Sequence, residues 1–372
     1  MRKRTGGVGA LMLLAACGGG ASDVAQGNTA SAADANASGD VVAAAAAPAA
    51  AVAPARPVPG EVKTFSDWAV GCDNLGTCKA AALAPEGEEF PAVLMSITRA
   101  AGPNGALSVA FLSSEAIPLP LRVAVDGRPA GEGGRTDDDA TRIEGEEAAR
   151  IVAAAASGKT LSVSDGGNAA TSDISLAGLS AALRYIDDRQ GRAGTTGALV
   201  ARGNAPDTRA APTAPVLTLA APGGGAAAPS AQQLAEFRKA GECDVDMASN
   251  GAAAPETHAL GGGKTLLLLP CSMGAYNVMA LVYVGDTAGF RPAGFDAPTG
   301  MGEEGGVPSV VNGAWENGLL ESYDKGRGLG DCGVSASWGW DGAGFRLVEQ
   351  AVMPECRGNI DFIRTWHAEV RR

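Results

Sequence analysis

The chain of 372 residues is acidic, with 41 Asp and Glu against 29 Lys and Arg and a formal charge of −12. A surface of that charge does not favour phosphate backbones or anionic headgroups, which argues against nucleic-acid binding and against broad adhesion to lipid. Hydrophobic residues reach 46% but aromatics only 5%, beside 53 Gly and 21 Pro, the balance expected of folded domains joined by low-complexity connectors.

Arg2, Lys3 and Arg4 precede a short apolar run, Val8–Ala16, which is the pattern of a secretory signal and too short for a permanent transmembrane helix. The run ends in Leu14-Ala15-Ala16-Cys17, a box that resembles the bacterial lipoprotein signal. That resemblance implies removal of residues 1–16 and acylation of Cys17; the alternative is a plain secreted protein in which Cys17 is incidental. Cleavage takes away Arg2, Lys3 and Arg4 and leaves a mature charge of −15. Acyl chains would then supply the membrane attachment, at about 0.8 kcal/mol per buried CH₂. Gly18 follows Cys17, whereas Asp there would resemble an inner-membrane retention signal, so the expected location is the periplasmic face of the outer membrane. Residues 17–60 are almost entirely Ala, Gly, Ser, Pro, Val and Asn, with Asp23, Asp34, Asp40 and Arg56 as the charges, and are expected to form a disordered tether reaching roughly 35–40 Å.

A first domain is expected over residues 61–200. Phe65-Ser-Asp-Trp68-Ala-Val70-Gly-Cys72 alternates at strand period, and the turn Asp73–Gly76 sets Cys72 opposite Cys78. Strands are expected at Val93–Thr98, Leu107–Leu112, Leu121–Val125 and Thr160–Ser164, and a helix at Glu144–Ala156, with Glu146 and Glu147 early and Gly158 ending it. Ile174, Leu176, Leu179, Leu183 and Ile186 read as the core stripe of a second helix, stopped by Gly191. Residues 201–230, with Gly223–Gly225, read as an interdomain linker in which Val216–Leu219 docks as a short strand. Ser230-Ala-Gln-Gln233 is a capping box opening a helix to Lys239.

The second domain, residues 231–372, is expected to be β-rich. Strands are expected at Thr265–Leu269 and Ala275–Val284, then at Ala314–Tyr323, broken by an Asn317-Gly318 turn. Val334, Ala336, Trp338 and Trp340 alternate, Asp341-Gly342 signals a hairpin, and Phe345–Val352 returns. The expected fold class is therefore mainly β (α+β): two disulfide-stapled antiparallel, sandwich-like domains with a few short helices on the first.

Setting Cys17 aside leaves six of the seven cysteines, an even number suited to an oxidising compartment. Of the possible connectivities, local pairing is the most economical: Cys72–Cys78, Cys243–Cys271 and Cys332–Cys356. The absence of Cys-x-x-Cys disfavours a redox site, and two histidines with this cysteine spacing disfavour zinc; no cofactor is expected.

Catalytic signals are weak. Gly261-Gly-Gly-Lys264-Thr265 suggests a phosphate loop, but His258 stands where that motif needs Gly, which leaves a turn before a strand. His258 and His367 are the two available bases, without a Gly-x-Ser-x-Gly elbow. Asp137, Asp138, Asp139, Glu144, Glu146 and Glu147 form an acidic cluster lacking cation-loop spacing. Trp338 and Trp340 share a strand face and fit core packing better than a ligand platform. The densest motif is Lys325-Gly-Arg327-Gly-Leu-Gly330-Asp331-Cys332-Gly333. It is either an anion-binding loop using Lys325, Arg327 and Asp331 or a structural turn locked by a disulfide.

Taken together, four blocks carry a family likeness. They are Phe65-x-Asp67-Trp68-x-Val70-x-Cys72-Asp73-Asn74; Ser175-Leu-Ala-Gly178 through Ile186-Asp187 to Gln190-Gly191-Arg192; Cys271 through Gly274-Ala275-Tyr276-Asn277; and Lys325–Gly333 through Trp338-x-Trp340-Asp341-Gly342 to Phe345. They resemble the bacterial "domain of unknown function 1176" family over residues 61–370. The first two blocks also resemble the invasion-associated locus B family of exported proteins, which implies an envelope role with host or surface contact. Neither resemblance supplies a catalytic residue. The expected function is a lipid-anchored envelope module that binds or scaffolds an envelope protein or glycan without catalysis. The alternatives are a glycan or peptidoglycan hydrolase using paired carboxylates, recognisable by a cleft holding two acids of which one has a raised pKa, and an inhibitor or assembly factor.

Overall fold

Strand-period alternation dominates both halves of the chain, and strands are what the computed structural model shows. It describes residues 56–88, 91–113, 117–137, 140–164, 170–244, 254–300 and 306–372. The signal, Cys17, nearly all of the expected tether and Asp138 and Asp139 lie outside the described residues.

The first half comprises β1 (Val62–Phe65), β2 (Trp68–Cys72), β3 (Cys78–Ala82), β4 (Val93–Arg99), β5 (Leu107–Ser113), β6 (Leu121–Val125), β7 (Arg128–Gly133), β8 (Arg135–Asp137), β9 (Ala140–Glu144), helix α1 (Gly145–Ala155), β10 (Thr160–Ser164), β11 (Ala170–Ser175) and helix α2 (Leu179–Arg189). They form an antiparallel seven-stranded sheet, β1-β2-β3-β4-β5-β9-β8, and a four-stranded sheet, β11-β10-β6-β7. Inward residues at period two, Trp68, Val70, Met95, Ile97, Val109 and Phe111 among them, share one core with Ile151 and Val152 of α1 and Leu179, Leu183 and Ile186 of α2. The stripe expected on the second helix is divided. Ile174 stands in β11 and α2 begins only at Leu179. Gly178 (φ 91°) turns the chain between them, and a Cβ there would lie 1.8 Å from the Phe65 carbonyl oxygen. Ile174 and Leu176 reach the same core from the strand side, which is why strand and helix read as one stripe.

In the second half, β12 (Val216–Thr218) and helix α3 (Ala231–Ala240) precede β13 (Glu256–Gly261), β14 (Lys264–Met273), β15 (Val278–Asp286), β16 (Gly289–Pro292), β17 (Ser309–Val311), β18 (Ala314–Glu316), β19 (Leu319–Lys325), β20 (Gly333–Trp340), β21 (Phe345–Met353), β22 (Ile363–His367) and β23 (Glu369–Arg371). One sheet is ordered β13-β14-β15-β16, with β17 also on β15; the other is β18-β19-β20-β21-β22. Leu266, Leu268, Val282 and Val284 of the first sheet pack on Leu320, Trp338, Trp340 and Phe345 of the second. Both tryptophans are core residues. The capping box of α3 forms in both directions, Gln233 N–H to Ser230 Oγ at 3.2 Å and Ser230 N–H to Gln233 Oε1 at 2.9 Å. Asn317 and Gly318 (φ 51° and 77°) make the expected two-residue turn. The Asp341-Gly342 hairpin is longer than its signal suggests. Trp340 pairs with Phe345, and Asp341 Oδ1 accepts the Ala343 and Gly344 N–H groups, both at 2.8 Å, closing a larger loop.

All three disulfides are the local ones, Cys72–Cys78, Cys243–Cys271 and Cys332–Cys356. Residues 201–230 are held at several points. Asp207 pairs with buried Arg192 at 3.0 Å, β12 runs parallel to β23, and the Ala220 N–H reaches the Trp340 carbonyl at 2.8 Å.

Residues 54–372 cohere as one unit. A third apolar cluster joins Ala69, Ala81 and Leu83 to Cys332, Met353 and Ile363 across the seam between the halves. Polar groups finish it. Arg357 donates to Asp67 and, at 2.7 Å, to the Ala84 carbonyl; Arg364 pairs with Asp73 at 2.8 Å. Asn359 Nδ2 donates to the Ala82 carbonyl at 2.6 Å, and Asn74 exchanges two hydrogen bonds with the His367 backbone at 2.8 and 3.0 Å. No helix among the described residues is long and apolar enough to cross a membrane.

Candidate functional site

The Lys325–Gly333 loop is braced from every side. Arg327 grips Asp331 with two N–H groups, one at 2.7 Å. Asp331 is buried and also accepts the Gly358 N–H at 2.7 Å. The Arg327 guanidinium holds the Asp331 carboxyl below the usual range, and the carboxylate raises the guanidinium in return. Tyr276 Oη donates to the Gly326 carbonyl at 2.9 Å, Tyr323 Oη donates to the Gly330 carbonyl, and the Asn277 amide holds the Lys325 carbonyl at 2.9 Å. Cys332 anchors the end through Cys356. Of the three ligand candidates in this loop, Arg327 and Asp331 are engaged with each other, and the Lys325 ammonium lies 5.5 Å from the Tyr323 ring centroid. The geometry is that of a preformed wall.

What the wall borders is a groove of about 500 Å³ on the outer face of the β18–β22 sheet. Because Ala336, Trp338 and Trp340 of β20 point into the sandwich, Ser335 and Ser337 point outward. Register supplies their neighbours. Ser337 lies between Glu321 of β19 and Glu349 of β21, and Ser335 between Tyr323 and Ala351. The two glutamates are exposed, and their backbones stand two strand spacings apart, about 9.5 Å. Gly330, Ile360 and Phe362 close one end, and the Ile360 side chain is 58% exposed. Tyr323 meets Phe362 edge-on at 5.8 Å, and burial raises the Tyr323 hydroxyl pKa, with Asp331 adding to it. Among the described residues, no lysine or arginine lines the groove. The arrangement offers carboxylates, hydroxyls and an aromatic and aliphatic wall on a rigid floor.

Other sequence candidates are dispersed. His367 lies beside the groove, 3.2 Å from Glu349, whereas His258 pairs with Glu256 at 3.2 Å on β13. Lys264 follows a glycine turn between β13 and β14 and bonds Asp286. Glu147 accepts the Glu132 N–H at 2.9 Å, and no three potential metal ligands converge among the described residues. Among the described residues, burial raises the carboxyls of Asp296 and Asp324, and neither lines the groove.

The sequence reading passed over Ser335, Ser337, Glu321, Glu349, Ile360 and Phe362. Ser335 and Ser337 were readable as the complement of the Val334–Trp340 alternation, since the face opposite a buried stripe is solvent-facing, whereas Glu321 and Glu349 reach the same row only through the register of β19 and β21. Ile360 and Phe362 carried no local signal, being brought to the groove by the chain after Cys356.

The model of the family described as "Protein of unknown function (DUF1176)" matches residues 62–369, so the chain belongs to that family. It is 28% identical over 327 residues to the uncharacterized protein YpfG of Escherichia coli (strain K12), covering 79% of this chain and 88% of the relative. The crystal structure of invasion associated protein b from Bartonella henselae is similar at 23% identity and a TM-score of 0.29, over 35% of this chain and 99% of that one.

Proposed function

We propose that this family member is a lipid-anchored binding module of the bacterial envelope, and that the groove over Ser335 and Ser337 seats its ligand. The observation carrying this reading is the pairing of an exposed groove with a wall whose own polar groups are already satisfied. A preorganised surface of that kind loses little entropy on binding. Three disulfides fit an oxidising, extracytoplasmic compartment, and the Leu14–Cys17 box supports an acyl anchor at Cys17. Binding is favoured over bond cleavage because the charged pair of the wall, Arg327 and Asp331, is spent on bracing the loop itself.

Two measurements test this. A photo-crosslinking residue replacing Ser337 in intact cells is expected to yield a discrete adduct that the same residue at Gln232, on exposed α3, does not. Equal labelling from both positions overturns the assignment of the groove. Cys17→Ser is expected to release the protein from the membrane fraction, and continued pelleting removes the anchor.

A further inference from the structure

We infer that the groove accepts a cationic side chain, lysine or arginine, borne on a protein segment with an apolar neighbour. This rests on the binding reading above and names the ligand class of the same site. Glu321 and Glu349 present two carboxylates in one cross-strand row with Ser337 between them, and among the described residues no lysine or arginine lines the groove. His367 is the next residue of the row on β22 and meets Glu349 at 3.2 Å from the side away from Ser337, whereas Arg364 on the same strand is committed to Asp73. At about 9.5 Å between their backbones, both glutamates have the side-chain length to reach a cation held above Ser337. A guanidinium or ammonium there meets both carboxylates and the serine hydroxyl. Next to that point the surface turns apolar, with Ile360 58% exposed beside Phe362 and the Tyr323 ring. An aliphatic residue adjacent to the cation covers it.

Charge also selects among occupants. The expected tether carries Asp23, Asp34 and Asp40 against one cation, Arg56, which lies beside Asp296 and away from the groove, so the tether is a poor fit for an acidic groove. A second copy brings a further charge of −12 toward the same carboxylates. The occupant is therefore a different, basic partner.

The test uses the purified full chain and three probes: N-acetyl Leu-Arg-Leu amide, the same peptide with citrulline for arginine, and an N-acetylglucosamine tetrasaccharide. Backbone amide shifts are followed by NMR. The arginine peptide is expected to move the Gly330, Ser335 and Ser337 amides and to bind roughly three- to tenfold more tightly than the citrulline peptide, the range for two partly exposed ion pairs. Glu321→Gln with Glu349→Gln is expected to bring the arginine peptide to the citrulline level while leaving the citrulline peptide unchanged. Both positions are exposed, and an unchanged unfolding midpoint shows that the variant is folded. Equal binding of the two peptides at these amides overturns the cation preference but leaves the groove as a binding site. Movement of these amides by the tetrasaccharide alone overturns it in favour of a glycan. Silence with every probe overturns the cation inference, and absence of the Ser337 adduct in cells is what separately brings down the binding reading.

Discussion

Two buried aspartates invite comparison, each in a dense motif with glycine and arginine close by in sequence. Asp187, at the end of α2, is fully buried and accepts three backbone N–H groups, from Leu199 at 2.7 Å and from Val200 and Ala201 at 2.9 Å. Nearby Gln190 and Arg192 reach the carbonyls of Gly76, Arg99 and Ala100. Asp331 is almost as buried but is served by one arginine and one backbone N–H. The first bracket lies wholly inside and fixes loops to one another. The second has one side in protein and the other against an open groove. Both motifs are structural bracing, and only the position of the second connects it to a surface where something can bind.

The largest expected effect comes from breaking the first bracket. Asp187→Ala leaves three N–H groups without their acceptor, at about 1–3 kcal/mol for each one left buried. A total loss of roughly 3–6 kcal/mol in urea unfolding is expected, and a loss under about 1 kcal/mol would remove the claim that this motif is a brace. Next is the staple of the second bracket. Replacing Cys332 and Cys356 together by Ser is expected to cost roughly 2–4 kcal/mol, with the amides of Gly326 and Gly330 losing hydrogen-exchange protection.

Asp331→Asn weakens the same loop without removing its staple, for an expected cost of about 1–2 kcal/mol at neutral pH, allowing for the partial exposure of Arg327. Its pH dependence has a definite sign. Because Arg327 holds the folded carboxyl below its ordinary value, the stabilisation is present above the unfolded pKa, near 4, and is lost as pH falls through the lower, folded one. Melting temperatures of wild type and variant should therefore converge on acidification below about pH 4, and a constant gap would show that the charge is not what braces the loop. The smallest stability effect belongs to the groove. Glu321→Gln should shift the unfolding free energy by less than about 0.5 kcal/mol while lowering the yield of the Ser337 crosslinked adduct. A destabilisation like that of Asp331→Asn would make Glu321 part of the bracing and erase the contrast.

Much of the fold was readable locally. Leu121–Val125 and Thr160–Ser164 are strands over the expected spans, and the hairpin at Asn317-Gly318 and the capping box at Ser230 form as their turn and cap chemistry requires. Strands such as β7, β13 and β22 were not, because Arg128–Gly133 has no apolar alternation and the others are held by pairing with neighbours rather than by propensity. The candidate site was half legible. Lys325, Arg327 and Asp331 marked its wall, but their charges are spent on the loop, and the groove residues themselves are ordinary serines and glutamates.

The sequence by itself determined which strand faces are buried and made local cysteine pairing the most economical, because side-chain direction alternates at period two and short loops bring neighbouring segments together. It also determined the acidic net charge. Tertiary structure decided the rest. Arg357 meets Asp67, Arg364 meets Asp73, and Phe362 arrives beside Tyr323 only because two apolar surfaces meet at Ala69, Ala81, Met353 and Ile363. Contacts between residues nearly 300 positions apart depend on how complementary faces pack, and no local propensity encodes that choice.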